Sequence, residues 1–431
     1  MKILLIAKFS IIEPLGIMFL AQSLLNNGHD VSLFLLRDNE SNLINQIKQS
    51  KYDFVGLSTY TGFHKTMFKL ADELRNLTKV IIGGPHATFF SDSCLSHSDY
   101  VVKGEAIKSI LNVFDQNKNE KIIFNPNLLS SNEIPKPNRE LLYQISSFHQ
   151  ENKIKNVISS FGCPYRCTYC YNDSYNKIYN NYKVRYRLTN SIIDECEELI
   201  RYKTELIFFE DDCFGADLNW LKQFLCEYRA KIKLPFHCQL RPEMVTRERI
   251  SLLADSYCHG VTLAIETSNN DVRRNILKRN YSNDDIYNSC KLIKEFNLKL
   301  RTEQMLGLPQ TTLEDELNLL KMNTEIKPEI AWTSIFTPYL GTTLGDSCKE
   351  NNLYLNSNDD IEENFFSNSK LLFNSQRVEQ TNMLQKIFST CSNFSQGNKL
   401  AKSFLSSNDY SFNSWFSCMK THLYDNCLYK V

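Results

Sequence analysis

Twice along its length the chain alternates short apolar runs with amphipathic ones, and that pattern confines it to the α/β folds. In the first series, residues 2–7, 31–36, 54–59, 80–82 and 100–102 are strand-like, being short and rich in Val, Ile, Leu or Phe. Residues 16–26, 66–76 and 105–114 have helical patterning. This alternation predicts a doubly wound parallel sheet. The second series places strands at 157–160, 206–210, 236–239, 261–265, 300–305 and 330–336, with helices at 191–202, 218–229 and 283–296 between them. Sheets of this kind hold their ligands beyond the carboxyl ends of the strands.

One loop at such an end carries metal chemistry. Residues 159–172 read SSFGCPYRCTYCYN and follow the apolar run 154–160. Cys163, Cys167 and Cys170 stand at spacing CxxxCxxC. Thiolates select zinc, copper(I) or iron–sulfur clusters. A 4Fe–4S cluster usually takes four cysteines, one per iron. Three would leave one iron without a protein ligand, and an open metal position is where a substrate or cofactor binds. The alternatives are three unrelated core cysteines, or a zinc knuckle. Zinc asks for a fourth Cys or His at short spacing, and the nearest of either type are His149 and Cys196.

The loop resembles the signature of the radical S-adenosylmethionine (SAM) enzymes, including the aromatic Tyr169 just before the last cysteine. The resemblance implies a 4Fe–4S cluster on Cys163, Cys167 and Cys170, with SAM on the fourth iron. One electron from the cluster would cleave SAM to methionine and a 5′-deoxyadenosyl radical. It also implies that the six strands of the second series form a partial (β/α)6 barrel.

The first series has its own likeness. Ser58, Thr59, Tyr60, Thr61 and Gly62 follow the third strand, and Gly83, Gly84, Pro85 and His86 follow the fourth. Glycines let a backbone approach a bulky ligand, and hydroxyls can donate to amide or phosphate groups. The pieces EPLG, LAQSLLNNGHDV, DFVGLSTYTG, KVIIGGPHAT and YVVKGEA, in that order, are similar to the Rossmann-like cobalamin-binding domain that precedes many radical SAM domains. There the nucleotide tail of cobalamin threads into the sheet, which assigns its channel to Ser58, Thr59, Gly83 and Gly84. The DxHxxG motif that supplies a histidine to cobalt in cobalamin mutases and methionine synthase is absent, and KFSIIEP stands in its place at 8–14. His64 and His86 are candidate cobalt ligands, with a loop hydrogen-bonding role as the plainer reading.

In the barrel the likeness is carried over one position at a time. Glu210 and Asp211, in the acidic run after the second strand, would receive the amino group of SAM, unless the run only complements a helix dipole. Arg241 would pair with the SAM carboxylate or a substrate anion. Glu266 would hold the ribose hydroxyls; a plain barrel salt bridge is the alternative for both. Gly307 lies within MLGLP at 305–309, which resembles the family's adenine-binding segment, and PYLGT at 338–342 resembles the PxxGT loop of cobalamin-linked members. Arg185 and Arg187 lie in a Tyr- and Asn-rich stretch that either contacts ligand or shields the cluster.

These readings divide the chain into a cobalamin-binding domain at 1–125, a linker at 126–150 with Pro135 and Pro137, a radical SAM barrel at 151–345 and a C-terminal substrate or capping region at 346–431. The last carries Cys391, Cys418 and Cys427, either buried or available as hydrogen donors. Lys+Arg and Asp+Glu both number 49, which argues against a dedicated nucleic-acid binder. The 14 cysteines are scattered without regular pairing, as suits a reducing cytoplasm. MKILLIAKFS reads as a first strand rather than a signal peptide, and no apolar run reaches membrane-spanning length. The expected cofactors are a 4Fe–4S cluster, SAM and cobalamin, with flavodoxin or ferredoxin as electron donor and a small molecule or peptide as substrate. The implied activity is methylation of an unactivated carbon or phosphorus by way of methylcobalamin. Radical cyclisation, ring contraction or rearrangement is the alternative within the family, and a non-catalytic cobalamin-binding regulator the alternative outside it.

Overall fold

Six strands, β1 (Lys2–Lys8), β2 (Asp30–Leu36), β3 (Phe54–Ser58), β4 (Lys79–Gly83), β5 (Tyr100–Lys103) and β6 (Ile122–Phe124), form a sheet in the order β2-β1-β3-β4-β5-β6. Every neighbouring pair runs parallel. The structure, a computed structural model, describes residues 1–37, 41–115, 119–179, 183–357, 360–364, 366, 368–407 and 409–423. Sequence KILLIAK explains why β1 is central: Ile3 and Leu5 face one core with Leu15, Met18 and Phe19, while Leu4 and Ile6 face another with Met67, Leu70 and Leu74. A strand covered on both faces needs apolar residues at every position rather than at alternate ones. The strand order reverses between β1 and β3, so the ligand crevice of this sheet lies at the loops that follow these two strands.

Several short elements escape the periodicity argument, among them one helix and the last strand of this sheet. The helix Ser41–Ser50 is mostly polar; Leu43 and Ile47, four apart, are buried in the core and Ile44 packs against it. β6 is three residues long, too short for a pattern. The stretch read as a linker contains the helices Arg139–Ile145 and Ser147–Glu151, and Leu142 and Tyr143 are buried.

The remaining strands are β7 (Ile154–Val157), β8 (Ser160–Phe161), β9 (Arg185–Tyr186), β10 (Leu206–Phe209), β11 (Phe236–Leu240), β12 (Cys258–Glu266), β13 (Lys299–Leu306) and β14 (Ile330–Ile335). β8 and β9 pair antiparallel as a small ribbon. The others form a sheet in the order β14-β13-β12-β11-β10-β7, which is simple sequence order, as expected of an α/β half-barrel. Helices Asn283–Glu295 and Leu313–Ile326 follow β12 and β13, each started by a capping box, Ser282 with Asp285 and Thr312 with Asp315. After the barrel the chain forms helices Ser375–Ser392, Gly397–Ser406 and Phe412–Leu423. None of the described helices is long and apolar enough to cross a membrane.

By its packing the chain divides into two units: Met1–Pro164, Ser174–Phe236 and Asn358–Glu363 in the first, and Tyr165–Asp173, His237–Ser357 and Asn364–Val431 in the second.

Candidate active site

In the first unit the ends of β3 and β4 are locked together by backbone. The Thr59 N–H donates to the Gly83 carbonyl at 2.9 Å, and the His86 N–H donates to the Thr59 carbonyl at 3.1 Å. Gly84 adopts φ 99°, ψ −174°, a conformation essentially reserved for glycine. A Cβ there would stand 2.6 Å from the Thr59 carbonyl oxygen. At Gly83 a Cβ would meet nothing nearer than the Val102 carbonyl oxygen at 3.7 Å. The two glycines therefore differ: protein backbone demands the second and leaves the first sterically open. Ser58 and Thr59 sit beside this junction, and the fully buried Thr59 Oγ1 has no hydrogen-bond partner among the described residues. A buried hydroxyl without a partner is a site prepared for a ligand group or water.

His64 and His86 are both buried and stack on one another at 4.1 Å between ring centres. Thr61 Oγ1 shares a hydrogen bond with His86 Nδ1 at 2.8 Å, and the Gly62 N–H donates to His64 Nδ1 at 3.2 Å. Loop chemistry thus occupies one ring nitrogen of each.

Glu13, in the loop after β1, belongs to a buried ionic chain that no local pattern announces. Arg139 donates to Glu13 and to Glu195, and Arg187 pairs with Glu195 at 2.6 Å. The Tyr143 hydroxyl donates to Glu13 at 2.7 Å, and so does the Asn156 N–H at 3.0 Å. Burial opposes the charge on Glu195, but Arg187 and Arg139 outweigh it and hold its pKa below the usual carboxylate range. Arg187 is thus committed to structure. Arg185 is likewise paired with Glu105, at 2.7 Å.

Asn156 also donates from Nδ2 to Glu210 at 2.6 Å, so β7 orients that half-buried carboxylate. Asp211 is fully buried and turned the other way. It accepts from the Ser159 N–H at 3.0 Å, from Ser159 Oγ at 2.6 Å and from Ser160 Oγ. Burial pushes its pKa up to about 6, against the pull of these three donors. Asp211 thereby holds the strand that leads into the cysteine loop, in which Cys163 is half-buried.

The second unit contains the rest of that loop. Thr168 pins it: its N–H and hydroxyl donate to the Leu277 and Ile276 carbonyls at 3.3 and 2.6 Å, and its own carbonyl accepts from the Leu344 N–H at 2.8 Å. Leu344 lies two residues past PYLGT, whose Thr342 caps the helix Thr343–Glu350. Cys167 is buried and Cys170 half-buried, joined by a turn in which the Cys170 N–H donates to the Cys167 carbonyl at 3.0 Å.

Around Cys167 lies a charged network. Arg241 Nη1 donates to Cys167 Sγ at 2.8 Å, and Arg279 Nη1 stands 4.0 Å from the same sulfur. Arg279 Nη1 also donates to Glu266 Oε1 at 2.8 Å and to the Tyr169 hydroxyl at 2.7 Å, and Tyr169 in turn donates to Glu266 Oε1 at 2.6 Å. Glu266 has φ +68° next to a register shift in β12, strain of the sort found where function requires it. Its Oε2 accepts nothing from the described residues. Gly307, at φ +70°, donates its N–H to Glu316 at 2.6 Å, and Arg377 grips Glu316 through both Nη atoms, at 2.9 and 2.6 Å.

Arg279, Glu316 and Arg377 were invisible to sequence reasoning, because nothing local distinguishes an arginine that will be buried. Glu243 had a weak signal, two residues beyond Arg241.

Comparison with known proteins finds a family match for each of the two sheets. Residues 1–113 match the B12 binding domain, and residues 157–322 match the Radical SAM superfamily. The chain is a cobalamin-dependent radical SAM enzyme. Its cofactors are a 4Fe–4S cluster, SAM and cobalamin. This radical SAM enzyme is 25% identical to an uncharacterized methyltransferase, PH0819, of Pyrococcus horikoshii, an alignment that covers 80% of each chain. Its fold is similar to that of the cobalamin-dependent radical enzyme OxsB, with TM-score 0.73 and 13% identity over 98% of this chain and 75% of the other. It is also similar to the radical SAM methyltransferase TsrM of Kitasatospora setae, with TM-score 0.67 and 18% identity over 83% and 77%.

The residues present fit the groups this enzyme family uses. Among the described residues no three His, Cys, Asp or Glu side chains gather closely enough to hold a single metal ion. A four-iron cluster does not need such a gathering, since each thiolate takes a different iron. Two guanidinium groups stand beside Cys167, at 2.8 and 4.0 Å from its sulfur, where they would face the negative charge of a bound cluster. For cobalamin, the unpartnered Thr59 hydroxyl and the open flank of Gly83 are the matching features.

Proposed function

We propose that this enzyme methylates an unactivated carbon or phosphorus of a small-molecule or peptide substrate. The observation that carries this reading is the presence, on one chain, of a B12 binding domain and a radical SAM domain with an open CxxxCxxC triad, in a chain related to a named methyltransferase. When bound, the cluster supplies the electron that cleaves SAM, and the corrinoid supplies the methyl group.

The chain's residues bind and orient. Cys163, Cys167 and Cys170 hold the cluster and leave one iron for SAM. Glu210, aligned by Asn156, receives the SAM amino group. Asp211 acts one step back, fixing Ser159 and Ser160 ahead of the triad. Glu266 offers Oε2 to a ribose hydroxyl while its Oε1 is held by Tyr169 and Arg279. The backbone around Gly307, shaped by Glu316 and Arg377, lies against adenine. In the first unit, Ser58, Thr59, Gly83 and Gly84 line the passage for the nucleotide tail. The reading also calls for a one-electron donor of the flavodoxin or ferredoxin type and a reducing, cytoplasmic setting.

The test is anaerobic reconstitution with iron, sulfide and hydroxocobalamin, followed by SAM, reductant and candidate substrates. A methylated product with S-adenosylhomocysteine supports the reading. 5′-Deoxyadenosine with an unmethylated, rearranged product overturns the methyl transfer but keeps the radical enzyme. No SAM cleavage with any candidate substrate overturns both.

A further inference from the structure

Cys167 stands against two buried guanidinium groups, and they are not equivalent. Arg279 is 3% exposed and compensated on the spot: it donates to Glu266, to the Ala264 carbonyl at 2.9 Å and to the Tyr281 hydroxyl at 2.8 Å. Its 4.0 Å approach to the sulfur is the long edge of a hydrogen bond. Arg241 is 6% exposed and makes the short contact, Nη1 to Sγ at 2.8 Å. Its other two nitrogens are held by Glu243, at 2.7 Å from Nη2 and 3.3 Å from Nε. Its guanidinium carbon lies 3.7 Å from the centre of the Tyr165 ring. Carboxylate and ring leave the fork one direction in which to point, and that direction is the sulfur.

An N–H donor and a fixed cation on a cluster thiolate both stabilise the more negative, reduced cluster. Hydrogen bonds to sulfur, net charge and burial are what set the potential of such a cluster. In a low-dielectric site the charge acts with little screening. We propose that Arg241, aimed by Glu243 and Tyr165, tunes the reduction potential of the cluster instead of clamping the SAM carboxylate. This rests on the reading that the triad holds a 4Fe–4S cluster. Glu243 then has an opposing role, since its half-shielded carboxylate offsets part of the Arg241 charge seen by the cluster.

The experiment is an EPR-monitored redox titration of the reconstituted full chain without SAM, for the wild type, R241Q and E243Q, with SAM affinity measured separately. R241Q should lower the reduced-to-oxidised ratio at a fixed poise by about tenfold, a shift of about 59 mV for one electron. E243Q should move the ratio severalfold the other way, which a merely structural role would not do. If R241Q does not retain its cluster, E243Q decides alone: an upward shift supports the inference and an unchanged midpoint overturns it. An unchanged R241Q midpoint with weakened SAM binding also overturns it and restores Arg241 to the SAM carboxylate. A wild type without a 4Fe–4S signal overturns the cluster assignment itself, and this inference with it.

Discussion

Adjacent glycines at the end of β4 should respond in opposite ways to the same methyl group. In G84A the new Cβ must enter a backbone conformation at φ 99° that L-residues avoid, and it begins 2.6 Å from the Thr59 carbonyl oxygen. Strain of this kind costs of order 1–3 kcal/mol, before any shift of the β3 end. For a folding unit of this size that lowers the melting temperature of the apoprotein by about 2–12 °C. G83A meets only ordinary contacts, at 3.7 Å and beyond, and has no left-handed backbone to strain. Its apoprotein should melt at the wild-type temperature or slightly above, because alanine has less backbone freedom to lose, worth about 0.4–1 kcal/mol. If the open flank of Gly83 is the wall of the corrinoid passage, G83A should nonetheless take up cobalamin at least tenfold more weakly. Differential scanning fluorimetry of the apoproteins and equilibrium dialysis with hydroxocobalamin read the two effects apart. A G84A melting temperature equal to wild type would refute the backbone argument. G83A with undiminished cobalamin uptake would refute the assignment of the passage.

Three further outcomes are expected. T59V removes a buried hydroxyl that has no partner among the described residues, so apoprotein stability should hold or rise by about 1 kcal/mol while cobalamin binding weakens; a loss of stability would show that the hydroxyl is satisfied. Asp211 titrates near 6 in the fold against an ordinary 3.8, so the folded state binds its proton more tightly, and the resulting stability, present below about pH 4, is lost as pH rises to about 6 and stays lost above. D211N should therefore flatten that slope and gain up to about 3 kcal/mol on wild type at pH 7, as read in urea melts from pH 4 to 7.5; an unaltered slope would assign it elsewhere. E195A leaves Arg139 and Arg187 buried without their shared carboxylate, and should cost about 3–5 kcal/mol in thermal or urea unfolding. A loss below 1 kcal/mol would mean that water or Glu13 compensates both cations.

What could be read from the residues alone was whatever is encoded locally. Both alternating series translate into sheets because burial on both faces demands apolar runs, visible in KILLIAK and KVIIG. The cysteine triad stands out in the sequence because its three thiols fall within eight residues, whereas the positive φ that separates Gly84 from Gly83 is seen only in the structure. The C-terminal region was opaque for the converse reason. Ser375–Ser392 is weakly amphipathic, and its Arg377 has meaning only through Glu316, 61 residues away. Cys391 lies buried in that helix with its thiol pKa pushed up to about 12, Cys418 is half-buried, and Cys427 falls outside the described residues.

Sequence by itself determined the fold class, the order of the two ligand-binding sheets and the chemistry of the thiolate loop, since each depends on neighbours along the chain. Tertiary structure alone decided which charges are taken up by partners within the protein. Arg187 goes to Glu195, Asp211 to two serines, and Arg241 to a sulfur 74 residues away. Burial makes an unpaired charge too costly to keep, so partners are assigned by proximity in space, which spacing along the chain does not reveal.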